Sequence, residues 1–104
     1  MNANPTGRKP IAGIADVQAL AVAAVTALQQ SELTAEAELI HTRVLSRAPE
    51  ELLEPSMVGV HTVWAFRPMV EVLMHELRYI ATAPGLSRED KSERIRWTLD
   101  LAGF

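Results

Sequence analysis

Apolar residues recur at helical spacing over most of the chain. In the first third they fall every third or fourth residue, as they do on the buried face of an α-helix. Asp16 stands where a carboxylate can cap the first turn of such a helix. We therefore predict a first helix over residues 16–30. Residues 1–13 are predicted to form a flexible tail, because their polar, proline- and glycine-containing composition cannot bury enough surface to become ordered.

A second apolar stripe follows a short polar break and ends at Pro49, which places the end of the second helix at about Ala48. Thr34 is suited to capping the start of this helix. The break contains neither glycine nor proline, so one long helix over residues 16–48 is an alternative. We favour two helices.

The most apolar stretch, Met57–Met74, follows an acidic connector that ends at Pro55. Ser56 is suited to capping a helix here, and apolar residues then recur three and four positions apart. Pro68 lacks an amide hydrogen, so it either begins a new helix or kinks a continuous one. We predict no β-strand, because no segment combines two-residue alternation with enrichment in β-branched residues.

The C-terminal part carries the signals of one more helix. Ser87, with Asp90 three residues later, is typical of a helix start, and Gly103 is suited to ending the helix. The pattern as a whole predicts an all-α fold, a small bundle of four or five helices. A chain of this length accommodates one core, which we assign to a single helical domain over residues 14–104.

Composition excludes several classes of function. The 104 residues include no cysteine, which excludes a disulfide framework, a thiolate metal site and a thiol nucleophile. A net charge of −3 argues against a protein whose main task is to bind nucleic acid or an anionic membrane surface. The apolar stretch is interrupted by charged residues and Pro68, so we expect no membrane span. The cytoplasm is the expected compartment.

Sites for catalysis, metals and cofactors are not expected. His75-Glu76 begins like the helical zinc-protease motif, but Tyr79 occupies the position of the second histidine. No serine lies in a Gly-x-Ser-x-Gly turn, and no glycine-rich phosphate loop is present. Acidic residues of the last helix offset its basic residues beside Trp97, so direct binding of nucleic acid is not expected. A small DNA-binding regulator stays an alternative.

The apolar middle of the chain points to a contact with another protein. Read as helix, its apolar residues face nearly every direction and need cover on all sides, either from the core or from a second chain. Tryptophan is enriched at binding hot spots, and methionine adapts to the shape of a partner. We expect a homodimer formed through residues 57–80. The candidate protein-binding residues are Val60, Trp64, Phe66, Met69, Val70, Leu73, Met74 and Tyr79.

The paired helices around Leu20–Leu28 and Ala37–Leu45, with a polar start and a later apolar helix over Trp64–Ile80, resemble the small bacterial quorum-sensing antiactivators in size and layout. The resemblance implies a dimer that sequesters a transcriptional activator and keeps it from its DNA site. An immunity protein or a secretion chaperone, which would mask a toxin or an effector with the same surface, is the alternative.

Overall fold

The first helix, α1, runs from Arg8 to Gln30 in a computed structural model that describes residues 8–104, with the side chains of residues 18–57 and 59–104. It begins eight residues before the predicted start, so Asp16 lies inside the helix rather than at its cap. The apolar residues before Asp16 continue the helical spacing, and a proline is tolerated in the first turn. Residues 1–7 of the predicted tail lie outside the described residues.

The predicted break between the first two helices is confirmed. The chain leaves α1 through residues 31–33, where Glu32 adopts a left-handed φ of 62°. Helix α2 (Thr34–Leu39) then continues as a π-helical segment, Ile40–Leu45. The expectation that Thr34 caps this helix is wrong: Leu33 holds the cap position and no side chain bonds to the first turn.

A β-hairpin interrupts the helices, so the all-α prediction is wrong for this part of the chain. A short helix, α3 (Pro49–Leu52), leads into β1 (Leu53–Val58), which pairs antiparallel with β2 (His61–Phe66). Pro49 thus begins a helix instead of ending one. The physical reason for the hairpin is Gly59, whose φ of 66° suits a two-residue turn, followed in β2 by β-branched and aromatic residues that favour a strand.

Two antiparallel helices complete the fold. Pro68 begins helix α4 (Pro68–Thr82), where its missing amide hydrogen costs nothing. Helix α5 (Arg88–Leu101) begins as predicted: the Ser87 hydroxyl accepts a hydrogen bond from the Asp90 amide at 3.1 Å. Gly103, with a φ of 86°, follows its end.

Helix α1 is the centre of the packing, since it contacts β2, α4 and α2. Helix α5 packs against α4 and α2. The fold is therefore mostly helical, with a small two-stranded sheet laid against its longest helix. The largest fully buried side chains of the core are Leu28, Leu33, Ile40, Val44, Met74, Leu77, Ile95 and Leu99.

Candidate protein-binding surfaces

The predicted contact residues divide into two groups of four. Val60, Trp64, Met69 and Tyr79 are exposed, with between 46% and 86% of each residue's surface accessible. Phe66, Val70, Leu73 and Met74 are buried in the core cluster. These four stabilise the fold, so the candidate contact surface is limited to the exposed group and its neighbours.

Helix α4 carries apolar side chains on two faces. The face built on Leu73 and Leu77 is buried in the core. Met69, Val72 and Tyr79 lie three and seven residues apart, and each is more than 60% exposed. Val72 and Tyr79 face away from the core, and Met69 lies at the edge of the buried face. We call these three residues the α4 stripe. Val72 is a member that the sequence analysis did not single out.

The hairpin exposes apolar side chains on the face that points away from Val63, which is buried. Directly paired residues of an antiparallel ladder present their side chains to the same face. Trp64 is paired with Pro55, and Met57 with Thr62, whose hydroxyl donates a hydrogen bond to the Met57 sulfur at 3.3 Å. This face therefore carries exposed apolar side chains on both strands.

An apolar groove lies between α1, α3 and the hairpin. It consists of two adjoining clefts that share Pro49 and Leu53. One cleft, of about 450 Å³, is closed by Phe66, and the other, of about 340 Å³, by Trp64. We call them the Phe66 cleft and the Trp64 cleft. The Phe66 cleft is further lined by Gln18, Ala21, Val22, Leu45, Arg47 and Leu52, and the Trp64 cleft by Glu50.

Helix α5 carries a further exposed pair. Ile95 and Leu99 are buried, whereas Trp97 and Leu101 lie on the opposite face and are 63% and 69% exposed. Arg94 lies on the same stripe, one turn before Trp97. Neither Trp97 nor Leu101 is among the contact residues expected from the sequence. Their i, i+4 spacing on the polar side of an amphipathic helix is the signal that identifies them.

A further cleft, of about 740 Å³, is lined mostly by charged and polar residues and lies between the start of α2 and α5. Glu36 is buried in the wall of this cleft. Its carboxylate accepts a hydrogen bond from the Ser92 hydroxyl and forms an ion pair with Arg96 at 3.5 Å. Burial alone would raise the pKa of Glu36. The hydrogen bonds from Ser92 and from the Glu36 amide, together with the positive charge of Arg96, outweigh burial and hold that pKa below its ordinary value. This cluster ties α2 to α5.

In the part of the chain that the structure describes, no three histidine, aspartate or glutamate side chains lie close enough together to bind a metal ion. His41 and His75 are exposed, and His61 is half-buried on β2. Glu71 and His75 remain a pair on α4 without a third ligand nearby.

Among residues 8–104, no helix is both long enough and apolar enough to span a membrane. Comparison of the chain with protein-family models, with curated proteins and with solved structures gives no match. Function is therefore argued from the surfaces alone.

Proposed function

We propose that this protein acts by binding other proteins, as a homodimer, through apolar side chains that its fold leaves exposed. The α4 stripe is the observation that supports this proposal most strongly. A helix that already buries one apolar face in the core has no folding reason to carry Met69, Val72 and Tyr79 on another. Contiguous exposed apolar residues on a small protein are typical of interaction sites.

The α4 stripe has the chemistry of a binding hot spot. Tyr79 offers a large rigid ring with a hydroxyl group, and Met69 offers a flexible side chain that adapts to the surface it meets. Complete burial of a large apolar side chain contributes about 1.5–3 kcal/mol. Three such residues contribute about 4.5–9 kcal/mol, which is comparable to the entropic cost of association, so a specific contact also needs the neighbouring exposed residues.

Sequestration of a transcriptional activator is one form that the proposed function can take, and masking of a toxin or an effector is another. The β-hairpin departs from the all-helical layout on which the resemblance to antiactivators was based. The proposed function therefore rests on the exposed apolar surface. The proposed compartment is the cytoplasm.

Quantitative capture from the native cell extract tests the proposal. Val72→Asp places a carboxylate in the α4 stripe, and His41→Asp is the matched control, since it introduces the same group at an exposed position outside α4. We expect all three proteins to show the same helix content and the same urea midpoint. A partner retained by the wild type and by His41→Asp should fall about tenfold or more with Val72→Asp. Retention of the same proteins in equal amounts by all three would contradict the proposal.

A further inference from the structure

We propose that the apolar groove of each chain holds helix α5 of a second copy, so that two chains exchange this contact reciprocally. In this arrangement Trp97 enters the Trp64 cleft, Leu101 enters the Phe66 cleft, and Arg94 meets Glu50. The inference rests on the homodimer of the proposed function and assigns the surfaces that form it. It leaves the α4 stripe free for a different protein.

The spacing of the two clefts fits the spacing of the two side chains. Phe66 and Trp64 are two residues apart on the same face of β2, so the two side chains that line the clefts are about 6.6 Å apart along the strand. Trp97 and Leu101 are four residues apart on α5, which corresponds to a rise of about 6 Å. A helix can therefore place one of these side chains in each cleft at the same time.

Charge fixes the direction in which the helix lies. The carboxylate of Glu50 lines the Trp64 cleft, and the guanidinium of Arg94 stands one turn before Trp97. Within residues 8–104 the ion pairs include neither of these groups, although five other arginines are paired. With Trp97 in the Trp64 cleft, Arg94 and Glu50 lie at the same end of the groove. The opposite direction would leave both charges without a partner.

The two surfaces are neighbours within one chain, which allows a closed dimer. Arg47 lines the Phe66 cleft, donates a hydrogen bond to the Gly103 carbonyl at 3.1 Å and lies over the Phe104 ring at 4.6 Å. The end of α5 is therefore held beside the groove of its own chain. A two-fold axis near Arg47 brings each helix opposite the groove of the other chain, so both contacts form together and the assembly closes at two copies.

Other occupants fit less well. Residues 1–7 are polar apart from Met1 and Ala3, so they supply no pair of large apolar side chains for the two clefts. A strand added along the open edge of β1 meets Pro55, which has no amide hydrogen to donate. The second copy is the occupant for which this chain supplies both the apolar pair and the matching charge.

Sedimentation equilibrium of charge-reversed variants tests the inference. Glu50→Arg and Arg94→Glu change exposed residues, so both variants should keep the wild-type fold. Each reversal places two like charges opposite each other in both contacts of the dimer, and we expect the dissociation constant to rise about tenfold or more. An equimolar mixture of the two variants restores opposite charges at both contacts, so it should form a heterodimer close to wild-type affinity. Glu71→Arg and Arg78→Glu, exposed on α4, are the matched controls and should leave the dimer unchanged.

Leu101→Asp provides an independent test, because it places a carboxylate against the apolar Phe66 cleft and should make the protein monomeric. A monomeric wild type, an open series of larger oligomers, or a dimer that survives Leu101→Asp would each overturn the inference. These results come from purified protein. A failed dimer is thus distinguishable from a failed proposed function, which is measured by capture through the α4 stripe.

Discussion

The polar link between α2 and α5 gives the most detailed prediction on stability. The Ser92 hydroxyl donates a hydrogen bond to the buried carboxylate of Glu36 and accepts one from the Arg96 guanidinium at 3.4 Å. Ser92→Ala removes the donor but leaves the carboxylate buried and charged. We expect this variant to lose stability, because the carboxylate keeps its desolvation cost and loses its closest partner.

The size of the stability loss caused by Ser92→Ala follows from two opposing contributions to the unfolding free energy. A hydrogen bond to a charged group is worth about 1.5–3 kcal/mol, and leaving the buried acceptor short of a partner costs a similar amount. Alanine in the middle of α5 is favoured over serine by about 0.5 kcal/mol, which offsets part of the loss. The net destabilisation should be about 1–2.5 kcal/mol, or a fall of roughly 4–20 °C in the melting temperature.

The loss of stability caused by Ser92→Ala should depend on pH. The pKa of Glu36 is below its ordinary value in the folded protein, so ionisation of Glu36 stabilises the fold above the pKa of the unfolded chain. This stabilisation is lost as the pH falls through the folded-state pKa. The difference in unfolding free energy between wild type and Ser92→Ala should be complete at about pH 7 and should shrink by about pH 3.

Urea unfolding at a series of pH values measures this difference. Ser46→Ala is the matched control, because the Ser46 hydroxyl donates only to the exposed carbonyl of Thr42. Its effect should be small and independent of pH. A Ser92→Ala variant as stable as the wild type at neutral pH, or one whose loss is the same at every pH, would refute the role assigned to Glu36.

Two further predictions concern the core and the hairpin. Met74 is fully buried and Met69 is exposed on the same helix, so Met74→Ala should cost about 2–5 kcal/mol in urea unfolding and Met69→Ala less than about 0.5 kcal/mol. Equal losses would contradict the assignment of the two faces of α4. At Gly59 a β-carbon would meet no atom within 4 Å, so Gly59→Ala should cost only the strain of its left-handed backbone, about 1–2 kcal/mol. An unchanged midpoint for Gly59→Ala would contradict the assigned turn.

The helices were the predictable part of the fold. The cap at Ser87 follows from local sequence and agrees with the structure, and a helix start at Pro68 is one of the two alternatives that the sequence left open. Met69 is exposed because it lies at the edge of the buried face of α4, about one quarter-turn from the centre of that face. The early start of α1 was missed because glycine and prolines were taken as the mark of a tail.

The hairpin was missed because its apolar residues mimic helical spacing. Met57, Val60 and Trp64 are three and seven positions apart, as on one face of a helix. In the structure Met57 and Trp64 share a face because the chain reverses between them. Gly59 was the available signal, since a glycine two residues before a run of β-branched and aromatic side chains is typical of a tight hairpin turn.

Contacts between distant parts of the chain could not be predicted at all. Glu36 and Ser92 are 56 positions apart, and no local pattern pairs them. The hint was that Glu36 lies on the apolar face of its own helix, between Leu33 and Ile40, where a charge requires a partner. The apolar groove likewise depends on how α1, α3 and the hairpin pack together.

The emission of Trp97 tests most directly whether another chain covers the exposed apolar surface. Trp64→Phe keeps the cleft apolar and leaves Trp97 as the single tryptophan of the protein. The account predicts that its fluorescence shifts to the blue as protein concentration rises through the dimer dissociation constant, because the indole leaves water. The same shift should be absent when Leu101→Asp is added. An emission maximum that stays at the wavelength of a solvated indole at every concentration would contradict the account.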